Sequence, residues 1–190
     1  MNRLFVSAAL LPLIWAAAAH AETKITTAVT APVKTSTATT TGAPDDLTID
    51  AAGSVKPTAA GAAVTLDSDN KVKNLGTIAF TGVNDATGIL ALGGRTGGVS
   101  NGAGISILED YTPTDADSDG DLDGVFAQGS NRFGIRATGP AAFTGDIRNE
   151  RAGTISVEGN DSAGISVDTR LNGSLVNAGT VTVTGDRSVG

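Results

Sequence analysis

Apolar and polar residues alternate along most of the chain after residue 46, in short segments that often begin with glycine. Alternation with a period of two is typical of strands with one buried face, and no segment has the 3.6-residue period of a helix. The pattern predicts an all-β protein built from many short strands. The clearest segments are Gly76-Thr-Ile-Ala-Phe80, Gly104-Ile-Ser-Ile107, Gly153-Thr-Ile-Ser-Val157 and Gly179-Thr-Val-Thr-Val183.

These segments belong to a repeat. Each follows an aliphatic residue, a variable residue and an asparagine, and a second glycine-led segment begins at Gly88, Gly134 and Gly164 in three of the copies. Successive asparagines are 27, 48 and 28 residues apart, so the middle interval holds one period plus an insertion of about 20 residues. The four asparagines are Asn74, Asn101, Asn149 and Asn177.

Three short strands in each period fit a parallel, right-handed β-helix, because each coil then lies on the previous one and equivalent residues stack. We expect about five coils, incomplete at the C-terminus, with the asparagines aligned in a hydrogen-bonded ladder at one corner. A weaker copy at residues 47–66 lacks the asparagine. The alternative is an antiparallel β-sandwich, whose strands are not expected to repeat one residue signature at a fixed interval.

The chain divides into three regions. Residues 1–21 read as a signal peptide, residues 22–46 as a Thr/Ala/Pro-rich extended leader that could add an edge strand, and residues 47–190 as the β-helix repeats. The sequence ends at Ser188-Val189-Gly190, where an earlier copy has Ser162-Ala163-Gly164 followed by isoleucine. We therefore expect this chain to be a fragment of a longer protein in which Ile, Val or Leu comes next.

The first 21 residues have the three parts of a secretion signal. Met1-Asn2-Arg3 is positively charged, residues 4–19 are almost entirely apolar, and Ala19-His20-Ala21 is a small-x-small cleavage site before Glu22. The alternative is a membrane-spanning anchor, but a span needs about 20 apolar residues and this run is shorter and contains Pro12. The sequence predicts a protein secreted across the inner membrane.

Cleavage would change the composition of the chain. It removes the only His and the only Trp, and the chain has no Cys, so no disulfide can stabilise the exported protein. Loss of Arg3 leaves 12 basic residues against 20 acidic ones, a net charge of −8. An acidic surface disfavours nucleic acid and anionic lipid as partners.

The repeats resemble the N-terminal passenger region of Gram-negative autotransporters, particularly alphaproteobacterial ones. The resemblance covers about residues 47–190 and rests on Asn149-Glu-Arg-Ala-Gly-Thr-Ile, on Asn177-Ala-Gly-Thr-Val and on the Gly-Ile-x-Val segments. It implies a cell-surface stalk or adhesin with a host-cell or matrix ligand that the sequence does not name. It also implies association with the outer membrane through a C-terminal barrel, to which nothing in this chain corresponds.

An Asp-rich insertion at residues 108–128 holds the sharpest local motif. Its aspartates occupy positions 1, 3, 5, 7 and 9 of a calcium loop, with Gly120 at position 6. Phe126 replaces the glutamate of position 12, and with Glu109 and Asp110 seven carboxylates lie together without a basic residue. The alternatives are a weak calcium site and a solvated acidic loop. The predicted ligands are Asp115, Asp117, Asp119, Asp123 and the carbonyl of Asp121.

A β-helix can also be a polysaccharide-active enzyme. Such chemistry requires suitably spaced carboxylates, or calcium with a basic proton acceptor, and the sequence has no recognisable set of nucleophile, base and oxyanion donor. We therefore expect a non-enzymatic surface protein with no catalytic residues. A β-helix enzyme fragment and a secreted calcium-binding repeat module are the alternatives.

Overall fold

The computed structural model describes residues 22–190, so the predicted signal peptide at residues 1–21 lies outside the described residues. Within these residues, nineteen short strands and one 3₁₀ turn, Thr35–Thr37, wind into about six coils. The first coil contains β1 (Thr23–Ile25), β2 (Ala28–Val29) and β3 (Val33–Lys34), and the second contains β4 (Leu47–Ile49), β5 (Ser54–Val55) and β6 (Gly61–Leu66). The third contains β7 (Lys71–Asn74), β8 (Thr77–Thr81) and β9 (Ala86–Leu92), and the fourth contains β10 (Gly98–Asn101), β11 (Gly104–Leu108) and β12 (Phe133–Thr138). The fifth contains β13 (Phe143–Thr144), β14 (Ile147–Asn149), β15 (Thr154–Glu158) and β16 (Ala163–Val167), and the sixth contains β17 (Leu171–Asn172), β18 (Leu175–Asn177) and β19 (Thr180–Thr184).

The strands stack into three long parallel sheets that run along the axis of the coils. Sheet A has the order β1-β4-β7-β10-β14-β18, sheet B the order β2-β5-β8-β11-β15-β19, and sheet C the order β3-β6-β9-β12-β16. A fourth, two-stranded sheet joins β13 to β17. The predicted parallel β-helix is therefore confirmed.

Stacked aliphatic residues fill the space between the three sheets. In sheet B, Ile78, Ile105 and Ile155 occupy one register position in successive coils, and Val181 follows them. The three isoleucines are almost completely buried. Because alternate residues of each strand point inward, a repeat with identical inward residues produces continuous apolar columns.

The four repeated asparagines form the predicted ladder at the turn from sheet A to sheet B. Each amide nitrogen donates to the amide oxygen of the next coil, over 2.7 Å from Asn74 to Asn101, 2.8 Å from Asn101 to Asn149 and 2.9 Å from Asn149 to Asn177. The first three are fully buried. In the weaker copy the equivalent position is Ile49, which pairs with Asn74 in register.

The glycines that open the sheet C segments allow sheets B and C to approach closely. A Cβ atom on Gly134 would lie 2.3 Å from Cγ2 of Ile155 and 2.5 Å from the carbonyl oxygen of Gly164. A Cβ atom on Gly88 would meet Ile105 in the same way, at 2.6 Å. Gly88 and Gly134 therefore leave no room for a side chain.

The segment predicted as an extended leader winds as the first coil. Its three strands β1, β2 and β3 pair in parallel with β4, β5 and β6, which gives one coil more than the five expected. The sequence signal was weak because these strands are only two or three residues long and carry no asparagine or glycine signature. Within residues 22–190, no helix is long and apolar enough to cross a membrane.

Candidate functional site

The Asp-rich insertion replaces a short turn between sheets B and C in the fourth coil. The same connection takes residues 82–85 in the third coil and 159–162 in the fifth, whereas in the fourth it takes residues 109–132. The insertion therefore adds about 20 residues without interrupting the stack, as the spacing of the asparagines predicted. Its two ends lie close together on the body of the β-helix.

A buried ion pair closes the base of the insertion. Nη1 of Arg132 lies 3.1 Å from Oε2 of Glu109, and the two side chains are 1% and 5% exposed. Oε1 of Glu109 accepts hydrogen bonds from the backbone N–H groups of Gln128 (2.7 Å) and Gly129 (2.6 Å). Glu109, at the start of the insertion, is therefore bonded to Gln128, Gly129 and Arg132 near its end.

Arg132 also connects three successive coils. Its guanidinium donates to the carbonyl oxygens of Val83 (2.8 Å) and Glu158 (2.6 Å), which belong to the turns of the third and fifth coils. A further hydrogen bond of 3.3 Å reaches Oδ1 of Asn84. A buried guanidinium is stable only when its donors are satisfied, and these contacts satisfy most of them.

Glu109 is held in its charged form. Burial alone would raise the pKa of this carboxyl group, but the N–H groups of Gly129 and Gln128 and the positive charge of Arg132 outweigh burial and lower the pKa. Burial together with the Glu109 and Glu158 carboxylates raises the pKa of the nearby Tyr111 phenol. The base of the insertion is thus a network of coupled charges on the body of the protein.

Two further contacts close the insertion between its base and its tip. The hydroxyl of Tyr111 donates to the carbonyl oxygen of Val125. Thr114 and Asp123 form an isolated antiparallel bridge, in which the N–H of Asp123 donates to the Thr114 carbonyl oxygen over 3.0 Å. The acidic segment from Asp115 to Asp123 therefore forms a closed loop.

Three of the predicted calcium ligands converge in this loop. Asp115, Asp117 and Asp123 each place one carboxylate oxygen within 4.8 Å of the other two, and all three are exposed. Asp115 also accepts from the N–H groups of Ser118 (2.6 Å) and Gly120 (3.0 Å). Oxygen atoms at this separation suit a hard cation such as Ca²⁺.

The predicted ligand Asp119 lies outside this group of three carboxylates. The carboxylate of Asp119 accepts a hydrogen bond of 2.9 Å from the N–H of Asp121 instead. Glu109, one of the seven clustered carboxylates, has a cationic partner, because Arg132 follows the cluster in sequence and folds back onto it. Sequence reasoning missed Arg132 because its partner is 23 residues away, across the whole insertion.

The outer face of sheet A has a concave surface, separate from the insertion. A shallow groove of about 220 Å³ lies over the column that contains Lys73, Ser100 and Arg148 in register. Arg148 is already paired with Glu150 at 3.2 Å, and Glu150 also accepts from the hydroxyl of Ser100. A carboxylate therefore already neutralises Arg148 on this face.

Comparison with known proteins identifies a family. Residues 19–189 match the model of the BigA third pectate lyase-like domain. No curated protein and no solved structure matches the chain significantly. The phrase "pectate lyase-like" describes the fold and does not decide whether the domain is enzymatic. BigA is a surface protein, and both the match and the fold fit a β-helix surface protein. The chain belongs to the family of the BigA third pectate lyase-like domain.

Proposed function

We propose that this domain is a non-enzymatic structural segment of a bacterial cell-surface protein, a stalk that holds binding surfaces away from the cell. The observation that carries the proposal is the continuous stack of buried asparagine and isoleucine columns through successive coils. A solenoid in which each coil is bonded to the next is an extended body of fixed shape. Such a body suits a spacer.

The predicted secretion signal supports the same role as a surface stalk. The N-terminal sequence has the charged, apolar and cleavage segments of a secretion signal, and the repeats resemble autotransporter passengers. We infer that the protein reaches the outer surface of a Gram-negative cell by an autotransporter-type route, where it acts as an adhesin towards a host-cell or matrix ligand.

Labelling of intact cells tests the surface location. An antibody against the insertion should stain cells that express the full-length gene product, and brief protease treatment should remove the signal without lysis. N-terminal sequencing of the exported protein should begin at Glu22. Staining only after permeabilisation would contradict the proposal, and a cytoplasmic protein stained under the same conditions is the control.

The alternative function is that of a polysaccharide-active enzyme, and an activity assay tests it. The purified chain is incubated with polygalacturonate and with neutral polysaccharides, with and without Ca²⁺, and the appearance of new reducing ends is measured. We expect no release above that of a heat-denatured sample. Turnover that is lost on substitution of Arg148 or Lys73 in the sheet A groove would replace the stalk proposal by an enzymatic one.

The convergence of Asp115, Asp117 and Asp123 favours weak Ca²⁺ binding as a second function of the insertion. Extracellular calcium modules of this kind bind in the range of about 0.1 to 1 mM. Calorimetric titration with Ca²⁺ should detect binding to the wild type and a loss in Asp117→Ala, which removes the ligand oxygen. Asp110→Ala is the matched control, because Asp110 is exposed in the same insertion but outside the group of three. Equal titration curves for the wild type and Asp117→Ala would exclude the site.

A further inference from the structure

Three large apolar side chains within residues 122–126 of the insertion are exposed, and two of them, Val125 and Phe126, line one cleft. Leu122, Val125 and Phe126 are 54%, 59% and 53% exposed. The other large apolar residues that are exposed within residues 22–190 are single positions on other elements: Leu75, Leu175 and Val189. Scattered apolar residues are normal on a protein surface, whereas a cluster indicates a contact surface.

The backbone that carries this cluster is fixed on both sides. The carbonyl oxygen of Val125 accepts from the Tyr111 hydroxyl, and the carbonyl oxygen of Ala127 accepts from Nδ2 of Asn160 over 3.1 Å. The bridge between Thr114 and Asp123 precedes it. A surface that is ordered before a partner arrives loses little conformational entropy on binding.

A cleft lies between the cluster and the body of the β-helix. Val125 and Phe126 form one wall, and Asn160, Thr184 and Asp186 contribute to the other. Its volume is about 270 Å³. An apolar cavity of roughly 150 Å³ accommodates benzene, so this cleft has room for a leucine or an aromatic side chain.

The charges around the cleft define the chemistry of its partner. Between residues 110 and 128 there is no Lys, Arg or His, and Asp186 adds a carboxylate on the opposite wall. Complementary charge on a partner would therefore be positive. The acidic residues that precede the cleft wall in the same insertion are Asp115, Asp117, Asp119, Asp121 and Asp123.

We propose that the insertion is a docking surface for a basic, apolar segment of another polypeptide, in which a leucine or aromatic side chain enters the cleft and flanking Lys or Arg residues face the aspartates. The proposal deepens the surface role proposed above by naming its binding surface. It rests on that role only for the location of the partner outside the cell. The test uses the purified chain, so its failure leaves the surface location unaffected.

Fluorescence anisotropy with short labelled peptides provides the test. The probe alternates Lys with Leu and Phe; one control peptide replaces Lys by Glu, and another replaces Leu and Phe by Ser. We expect the probe to bind and both controls to bind at least about tenfold more weakly. Val125→Ser/Phe126→Ser should weaken probe binding by about tenfold or more, because it removes two apolar contacts. Leu75→Ser, which removes an exposed apolar residue elsewhere, should have no effect.

Four results would overturn the proposal. The first three are no binding of the probe, binding of the Lys/Ser peptide as tight as that of the probe, and binding by the double serine variant as tight as that by the wild type. In the fourth, phosphatidylcholine vesicles are captured with the same dependence on Val125 and Phe126, and the surface contacts membranes instead of a polypeptide. All measurements contain EDTA, so calcium does not contribute, and circular dichroism of each variant verifies the fold.

Discussion

The side-chain amide of Asn101 donates a hydrogen bond of 2.8 Å to the amide oxygen of Asn149, although 48 residues separate the two in the chain. Both side chains are fully buried, and both occupy the same register position in adjacent coils. The Asp-rich insertion lies between them in sequence and leaves this contact intact. Stacking of coils, and not distance along the chain, therefore decides which residues meet.

Asn101→Ala is expected to lower the free energy of unfolding by about 1 to 3 kcal/mol, the usual cost of leaving one buried polar atom without a partner. It removes the donor to the buried Oδ1 of Asn149, and the amide nitrogen of Asn74 keeps only a longer bond of 3.4 Å to the carbonyl oxygen of Gly104. Chemical denaturation followed by circular dichroism measures the change. Asn177→Ala is the control, because Asn177 is exposed and has one ladder partner. Equal losses in the two variants would show that the ladder does not contribute.

Arg132→Met is expected to cost about 3 to 5 kcal/mol, the usual range for breaking a buried ion pair on one side. It leaves the Glu109 carboxylate buried without its cation. Arg136→Met should cost less than about 1 kcal/mol, because Arg136 pairs with Asp168 on the surface. Denaturation curves of both variants are compared with the wild type. A loss for Arg132→Met as small as that for Arg136→Met would contradict the structural role of the buried pair.

Gly134→Ala is expected to destabilise the chain by about 1 to 3 kcal/mol through overpacking. Its new Cβ atom would lie within 2.5 Å of both Ile155 and the carbonyl oxygen of Gly164. Gly104→Ala is the control, since the nearest atom to a Cβ there is Oγ1 of Thr154 at 3.8 Å. The melting temperatures of the two variants should differ clearly, and similar values would argue against close contact between sheets B and C.

Acid is expected to open the base of the insertion. Because the folded state lowers the pKa of Glu109, its stabilising effect is complete above the ordinary glutamate pKa of about 4.3 and is lost as the pH falls through the lower folded value. Tyr111, the only tyrosine in the chain, lies within the insertion, so its fluorescence reports the change. Glu109→Gln should lack this acid transition, and a transition of the same size in that variant would assign it to other carboxylates.

Sequence periodicity was sufficient to predict the parallel β-helix, because the stacked core repeats the same residues at Ile78, Ile105 and Ile155. It also predicted the asparagine ladder and the length of the insertion. It did not predict that residues 22–46 form a coil, since strands of two or three residues are too short to show a period. Their position in the first coil is visible only in the structure, where β1, β2 and β3 pair with β4, β5 and β6.

Part of the candidate site could also be predicted from sequence. The spacing of the aspartates identified the loop in which Asp115, Asp117 and Asp123 converge. The partnership of Glu109 with Arg132 could not be predicted, because it depends on where the two ends of the insertion meet the body. The exposure of Val125 and Phe126 was equally inaccessible, since an apolar residue next to turns is usually buried and only the three-dimensional arrangement shows otherwise.

The parallel pairing of each coil with its neighbours also determines how the domain responds to mechanical load. The backbone hydrogen bonds between strands run along the axis of the β-helix, so tension along that axis is shared by all the bonds that join two coils. A chain pulled from one end instead breaks the bonds of one strand at a time. The domain should therefore resist stretching along its axis, yet unwind coil by coil when one end of the chain is pulled.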